Sequence, residues 1–187
     1  MNSSKGKIRI IAGEYRGRRI AVPERAGLRP TPDRVRETLF NWLGQSLEGL
    51  SCLDLFAGSG ALGFEAASRG AARVVMVEHD RMVFEGLKKT RDLIGARQVE
   101  LLLEDAFAYL KRTPDRFDVV FLDPPFRQNA LPAVFRLLRA ARVYVESSEP
   151  FVAGESWREL KRARAGQVST QLLEWRGDDQ GGLSGNV

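Results

Sequence analysis

Strands and helices alternate through the middle of this chain. Short apolar segments predict five strands, at 50–56, 73–77, 99–103, 117–122 and 142–146. The intervening segments predict four helices, at 63–69, 82–94, 106–112 and 131–140. Because strands that alternate with helices form a parallel sheet covered on both faces, the sequence predicts a doubly wound α/β domain. In such domains, ligands bind at the carboxyl ends of the strands.

The segment after the first predicted strand is rich in glycine. Gly58, Gly60 and Gly63 form G-x-G-x-x-G between a strand and a helix, where glycine permits a tight turn and a close approach to a ligand. Glu78, twenty residues after Gly58, can accept hydrogen bonds from ribose hydroxyls. This pattern fits NAD and S-adenosylmethionine equally. Asp54 favours the second, because a carboxylate there repels a pyrophosphate and can hold an ammonium group.

Acidic residues also follow the third and fourth predicted strands. Asp105 can accept a hydrogen bond from an adenine amino group, or it can cap the helix that begins at Ala106. The fourth strand is followed by Asp123-Pro124-Pro125-Phe126, in which the prolines end the strand and stiffen the backbone. The carboxylate and the rigid carbonyl groups can accept hydrogen bonds from an exocyclic amino group and direct its lone pair at an electrophile. Phe126 can stack on a base taken out of its helix.

Positive charge is concentrated at the start of the chain. Residues 1–36 contain ten basic and three acidic residues, whereas the rest of the chain holds 19 basic and 21 acidic residues. Alternating apolar residues around a turn at 13–17 predict a β-hairpin with arginines near its tip, and Tyr15 there could stack on a base. This basic arm predicts contacts with RNA phosphates, although a solvated, disordered tail is the alternative. The residues predicted to contact RNA are Arg9, Arg16, Arg18, Arg29, Thr31, Arg34 and Arg36.

A helix is predicted to begin at Thr31-Pro32-Asp33, with the Thr31 hydroxyl as its N-cap. We therefore divide the chain into a basic hairpin arm at 1–30, a catalytic domain at 31–176 and a disordered tail at 177–187, where Gly, Asp, Gln and Ser dominate.

Composition excludes several classes of protein. One cysteine and one histidine argue against disulfides, a metal site and a Cys/His catalytic pair. Cys52 lies in the first predicted strand and is expected in the core, which argues against a methyltransferase that acts on pyrimidine C5 through a cysteine. No segment approaches the ~20 apolar residues of a membrane span, and the N-terminus lacks an apolar signal region. We expect a cytoplasmic, monomeric protein.

The combination of these segments resembles the RsmD family of class I S-adenosylmethionine-dependent methyltransferases, which methylate the N2 amino group of a guanine in 16S ribosomal RNA. The resemblance covers roughly residues 8 to 176, and its most specific parts are the arginine-rich start, Arg29-Pro30-Thr31-Pro32-Asp33 and Asp123-Pro124-Pro125-Phe126. It implies a mostly parallel seven-stranded sheet with an antiparallel last strand, plus an N-terminal β-hairpin. It also implies ribosomal RNA as partner, within a small-subunit particle or an assembly intermediate.

The resemblance also implies roles for individual residues. Asp54, Gly58 and Gly60 would line the methionine end of the cofactor, Glu78 would bind the ribose, Asp105 the adenine, and residues 123–126 would hold and activate the guanine amino group. The cofactor-binding residues expected in this way are Asp54, Phe56, Gly58, Gly60, Glu78, Asp105 and Ala106.

Three other functions fit part of the sequence. A methyltransferase acting on adenine N6 or cytosine N4, in DNA or another RNA, would use the same chemistry, but no large target-recognition insert is visible in 187 residues. An NAD-dependent oxidoreductase would leave Asp54 and the Asp-Pro-Pro-Phe tetrad without a role. An RNA-binding module without catalytic activity would leave the whole cofactor cleft unexplained.

Overall fold

The computed structural model describes residues 6–22, 31–124 and 130–177. Its strands are β1 (Lys7–Arg9), β2 (Arg19–Ala21), β3 (Ser51–Asp54), β4 (Arg73–Glu78), β5 (Val99–Leu103), β6 (Phe117–Leu122), β7 (Ala140–Ser147), β8 (Trp157–Ala165) and β9 (Val168–Trp175). Its helices are α1 (Asp33–Leu43), α2 (Ala61–Ser68), α3 (Arg81–Ile94), α4 (Ala106–Arg112) and α5 (Leu131–Leu137). Within these residues, no helix is long and apolar enough to cross a membrane.

Seven strands form one sheet in the order β5-β4-β3-β6-β7-β9-β8. The strands β3 to β7 pair in parallel, and the last strand, β9, lies antiparallel between β7 and β8. The predicted doubly wound fold with an antiparallel last strand is therefore confirmed. The chain runs outward from β3 to β5 and then returns to the other side of β3 with β6. This reversal puts the carboxyl ends of β3 and β6 side by side, where such folds bind ligands.

The helices cover the two faces of the sheet. One core cluster packs α1, α2 and α3 against the sheet, and the other packs α4 and α5 against its opposite face. The middle residues of the central strands are apolar, as expected for strands covered on both faces, and Val74, Val75, Val119 and Val120 are completely buried.

The N-terminal hairpin is part of the first core cluster. β1 and β2 pair antiparallel in a separate two-stranded sheet, and Ile10 and Ile20 are completely buried. The hairpin prediction is confirmed, and the alternative of a solvated tail does not fit residues 6–22. Tyr15 is 6% exposed and belongs to this core. The suggestion that Tyr15 stacks on a base is therefore wrong, because its ring is buried in the protein.

The turn of the hairpin lies directly on the last turn of α2. Glu14 and Tyr15 donate backbone hydrogen bonds to the carbonyl (2.8 Å) and hydroxyl (2.9 Å) oxygens of Ser68. Gly13 has a φ of +83°, and a Cβ atom there would lie 1.7 Å from the Ser68 carbonyl oxygen. A glycine is required at this position both by its backbone conformation and by this close approach.

Glu65, in the middle of α2, ties the hairpin to the body of the protein. Its completely buried carboxylate accepts backbone hydrogen bonds from Ile11 (2.8 Å) and Ala12 (3.1 Å). It also pairs with two guanidinium groups, those of Arg36 on α1 (3.2 Å) and Arg69 (2.9 Å). Glu65 thus joins the hairpin, α1 and α2 at one buried point. A buried charge of this kind is stable only while every partner is in place.

Arg36 differs from its predicted role. It is 0% exposed, and its guanidinium contacts Glu65, the Arg9 carbonyl oxygen (2.9 Å) and Asp33 (2.6 Å). A group buried in this way is not on a surface where RNA phosphates bind. Its charge holds the hairpin against α1 and α2. The prediction that Arg36 contacts RNA is therefore wrong.

Thr31 also differs from its predicted role. The helix α1 begins at Asp33 with Pro32 as its N-cap residue and no capping side chain. Thr31 is buried, and its hydroxyl instead bonds to Glu146 at the end of β7.

We predict that Glu65→Gln lowers the free energy of unfolding by about 3–5 kcal/mol, because a neutral amide leaves the charges of Arg36 and Arg69 buried without a partner. Urea unfolding followed by circular dichroism measures the change. Glu48→Gln is the control, since Glu48 is exposed and should change stability by less than about 0.5 kcal/mol. Equal stability of the two variants would contradict the structural role of Glu65.

Candidate active site

The carboxyl end of β3 carries a buried carboxylate. Asp54 is 3% exposed, and its Oδ2 atom accepts a hydrogen bond of 3.0 Å from the backbone N–H of Gly63. Burial raises the pKa of Asp54 to about 7, against the lowering effect of that hydrogen bond, and the nearby Glu78 and Glu146 carboxylates raise it further. A cation placed beside such a buried carboxyl group stabilises its ionised form and lowers its pKa.

The glycine-rich turn connects β3 to α2 as predicted. Gly58 and Gly60 have φ values of +50° and +78°, in the left-handed region that glycine adopts without strain. A Cβ atom on Gly60 would lie 2.6 Å from the ring of Phe64, and one on Gly63 would lie 2.8 Å from the sulfur of Met76. The glycines thus allow close packing of the turn and of α2 against the sheet, in addition to any contact with a ligand.

Glu78 ends β4 beside this turn. It is 7% exposed, and its two carboxylate oxygens accept the backbone N–H groups of Gly58 (2.9 Å) and Asp80 (2.8 Å). The Nδ1 atom of His79 also lies 3.3 Å from Oε1. Because an ionised carboxylate has about four acceptor positions, about one or two remain for ribose hydroxyls. Glu78 therefore holds the glycine turn in place and can also bind a ligand.

Asp105 follows the neighbouring strand, β5, and serves as the N-cap of α4. Its Oδ1 atom accepts the N–H groups of Phe107 (2.9 Å) and Ala108 (3.0 Å). Its side chain is exposed, and among the described residues no hydrogen bond to Oδ2 is found. Of the two roles left open by the sequence, the capping role is observed, and it leaves Oδ2 available to an adenine amino group. Ala106 is buried and Phe56 half-buried at the same edge.

Three carboxylates lie together at the reversal point of the sheet. Asp123 follows β6, Asp54 ends β3, and Glu146 lies near the end of β7, next to β6. Burial raises the pKa of Asp123 well above its ordinary value, and the charges of Glu146 and Asp54 raise it further. Among the described residues, no lysine or arginine forms an ion pair with these three groups. This acidic edge therefore favours ligands that bring positive charge or hydrogen-bond donors.

Glu146 has no predicted role in the sequence analysis, although it is the last residue of the predicted strand 142–146. It is 5% exposed, and its Oε1 atom accepts a hydrogen bond of 2.9 Å from the Tyr144 hydroxyl. Burial raises the pKa of Glu146, and its hydrogen bonds with Tyr144 and Thr31 act in the opposite direction. The signal that could have found it is its position: it is an acidic residue at the carboxyl end of an apolar strand, at the same sheet edge as Asp54 and Asp123.

The predicted RNA-contacting residues divide into exposed and buried groups. The exposed arginines are Arg9, Arg16, Arg18 and Arg34, and the buried residues are Thr31 and Arg36. The turn that includes Arg16 lies at the C-terminal end of α2, whereas the glycine turn lies at its N-terminal end. Arg9 is held near the start of α1 by Asp33, 3.9 Å away. The exposed arginines thus lie on the hairpin and in the first turn of α1.

Some predicted residues lie outside the described part of the chain. These are Arg29, Pro125, Phe126 and the tail from 178 onward. Pro124 is described and buried directly after Asp123.

Cys52 is a core residue, as expected. It is completely buried in β3, and burial raises the pKa of its thiol to about 12. A thiol in this environment stays protonated and does not act as a nucleophile.

The residues of this edge fit S-adenosylmethionine. Asp54 offers a buried carboxylate without a cation to an ammonium group, and Glu78 has free acceptor positions for ribose hydroxyls. A pyrophosphate, by contrast, would meet the carboxylate of Asp54 directly after the strand. Within the described residues, the electrostatics of the edge therefore favour a cationic cofactor over a dinucleotide.

Comparison with known proteins agrees with this geometry. Residues 8–174 match the family described as conserved hypothetical protein 95. The chain is 43% identical over 185 residues to ribosomal RNA small subunit methyltransferase D of Haemophilus influenzae, covering 92% of this chain and 96% of that protein. It is 42% identical to the Escherichia coli K12 protein of the same name, covering 92% of each chain. The solved structure of yhhF from Escherichia coli superposes with a TM-score of 0.83 at 41% identity, covering 91% of this chain and 98% of that one.

We predict that Asp54→Asn stabilises the ligand-free protein increasingly as pH rises from about 4 to about 7. The folded-state pKa of Asp54, about 7, lies above its ordinary value of 3.8, so this group binds a proton more tightly in the folded state than in the unfolded state. The contribution of Asp54 to wild-type stability therefore falls across this window. Asparagine carries no charge and does not contribute to this loss. Chemical unfolding of both proteins at several pH values measures the difference, and a difference that does not change with pH would contradict the burial of a titrating carboxylate.

Proposed function

We propose that this chain, which belongs to the conserved hypothetical protein 95 family, is an S-adenosylmethionine-dependent methyltransferase of small-subunit ribosomal RNA. It modifies the N2 amino group of a guanine. The single observation that carries this proposal is the position of Asp123. Its carboxylate lies beside the cofactor-binding end of β3 at the reversal point of the sheet. Two relatives that are 42–43% identical over 92% of this chain act, by their names, on ribosomal RNA of the small subunit.

The cofactor is held at the carboxyl ends of β3, β4 and β5. When bound, S-adenosylmethionine supplies an electrophilic methyl group on a positively charged sulfur. Asp54 binds its ammonium group, Glu78 accepts from the ribose hydroxyls, and Oδ2 of Asp105 accepts from the adenine amino group. Together these residues set the position of the cofactor relative to Asp123, and rate enhancement comes mainly from that positioning.

The target guanine is held by the residues after β6. Asp123 and the carbonyl oxygen of Pro124 accept hydrogen bonds from the two N–H groups of the amino group, so that its lone pair is directed at the methyl carbon. The proton that the nitrogen loses on methylation passes to Asp123 or to water. Phe126, placed here from the sequence alone, stacks on the guanine once it has left its helix.

RNA binds along the face that carries the hairpin. The exposed guanidinium groups of Arg9, Arg16, Arg18 and Arg34 contact phosphates, and Arg29 is retained from the sequence. We expect the substrate to be a small-subunit particle or an assembly intermediate, the protein to act as a monomer, and the reaction to take place in the cytoplasm.

The activity is tested with a panel of substrates. Purified protein and radiolabelled S-adenosylmethionine are incubated with isolated small-subunit RNA, with assembled small-subunit particles and with DNA, from cells that lack the methyltransferase. Mass spectrometry of nuclease digests then identifies the methylated nucleotide. We expect N2-methylguanosine in the ribosomal substrates. Methyl transfer only to DNA, or to adenine N6 or cytosine N4, would overturn the proposal.

We predict that Asp123→Ala abolishes methyl transfer and leaves RNA affinity within a few fold of the wild type, because it removes an acceptor at the amino group without changing the basic surface. Asp92→Ala is the control, since Asp92 is an exposed residue of α3 away from the sheet edge. Initial rates and filter binding measure the two effects. Full activity of Asp123→Ala would exclude the proposed role.

We also predict that the double variant Arg16→Ala/Arg18→Ala weakens RNA binding and lowers the salt dependence of log K by about 1–2, since each phosphate contact contributes about 0.7–0.9 to that slope. The control variant is Lys111→Ala/Arg112→Ala. It removes two exposed charges from α4, which covers the opposite face of the sheet. An equal loss of slope in both variants would mean that RNA does not bind preferentially along the hairpin.

A further inference from the structure

Glu146 is a second carboxylate beside the one that holds the target amino group. The strands β6 and β7 are parallel neighbours, with Leu122 opposite Val145. The residues that follow this pair on the two strands, Asp123 and Glu146, therefore lie next to each other at the sheet edge. Their proximity is also reflected in the pKa of Asp123, which the charge of Glu146 raises.

The surroundings of Glu146 orient its carboxylate without neutralising it. Tyr144 donates to Oε1 at 2.9 Å and Thr31 also bonds to the side chain, and both donors are uncharged. Burying a carboxylate without a cation is costly, and a neutral glutamine would satisfy the same two hydroxyl donors. About two of the four acceptor positions of the carboxylate remain for a further donor. A role in binding explains the charge, whereas a purely structural role does not require it.

Guanine carries a hydrogen-bond donor that can occupy the remaining acceptor positions of the Glu146 carboxylate. Its N1–H group lies next to the N2 amino group on the Watson–Crick edge. Adenine and cytosine carry an acceptor nitrogen in the corresponding position beside their amino groups. A carboxylate attracts the N1–H group and repels the lone pair of an acceptor nitrogen, so it discriminates strongly between these bases.

We propose that Glu146 accepts a hydrogen bond from N1–H of the target guanine and thereby determines which base is methylated. This inference rests on the proposed function, in which Asp123 and Pro124 hold the N2 amino group. Tyr144 and Thr31 are positioning residues that direct the Glu146 carboxylate towards the base. When the amino nitrogen forms its bond to the methyl carbon, positive charge develops on that nitrogen, next to N1–H. The negative charge of the nearby Glu146 carboxylate then stabilises that developing charge electrostatically.

The test replaces the target guanine by 2-aminopurine, which keeps the N2 amino group but has an acceptor at N1. The position of the target is taken from the mass spectrometry described above, and RNA with either base is prepared by ligation and, where required, reconstituted into particles. Wild-type protein should prefer guanine in kcat/KM. We expect Glu146→Gln to reduce the guanine/2-aminopurine preference by roughly 10- to 100-fold, because the amide can donate to the acceptor at N1.

This preference is a ratio measured on one protein sample, so a smaller fraction of folded variant does not alter it. Cofactor binding, measured by calorimetry with S-adenosylhomocysteine, should stay within a few fold of the wild type. If turnover of the variant is too slow to measure, the ratio of dissociation constants for the two RNAs is used instead. Glu149→Gln is the matched control, since Glu149 follows β7 closely and its side chain is 75% exposed.

The outcomes separate the two proposals. If wild-type protein does not methylate guanine in any ribosomal substrate, the proposed function fails. If it does, but Glu146→Gln keeps the wild-type base preference while it binds the cofactor normally, the role of Glu146 is overturned. Tyr144→Phe keeps the carboxylate and should change the preference less than Glu146→Gln does. A larger change in Tyr144→Phe would also contradict recognition by the Glu146 carboxylate.

Discussion

The buried carboxylate of Glu65 is the interaction on which the arrangement of this molecule depends. It lies in the middle of α2, whose first residue follows the glycine turn and whose last residue supports the turn of the hairpin. Because Glu65 binds the hairpin backbone as well as Arg36 and Arg69, it connects the hairpin to the helix that begins at the glycine turn. The cation–π contact of Arg69 with Phe40, 4.6 Å from the ring centroid, extends the same connection to α1.

The acidic edge of the sheet shows the opposite use of buried charge. Glu65 is matched by two guanidinium groups. By contrast, burial raises the pKa values of Asp54, Asp123 and Glu146, and the charge of Glu146 raises those of the two aspartates further. A site of this kind reduces the stability of the free protein and gains that free energy back when a ligand supplies the missing positive charge and donors. Stability and function therefore favour different residues at this edge.

The order and type of the elements could be read from the sequence because they depend on periodicity, which is local. β5, α4 and β6 were predicted to the residue, and the glycine turn and Asp123 were placed at the correct edge. The roles of individual residues in the N-terminal region could not be read in this way. Tyr15, Arg36 and Thr31 contact Gln98, Glu65 and Glu146, and these partners are far away in the sequence. Charge content predicts a basic arm, but it does not distinguish an exposed arginine from one that holds the arm in place.

The contact between Gly13 and Ser68 has a consequence for how a target is chosen. The hairpin turn contacts the C-terminal end of α2, and the glycine turn precedes its N-terminal end. The eight residues of α2 therefore separate the two turns by about 12 Å. In the proposed function the hairpin binds RNA, and its distance from the reaction centre is then fixed. The protein would then accept only those guanines whose phosphates lie at that spacing in the folded RNA, and it would select its target by three-dimensional shape with little reading of the flanking bases.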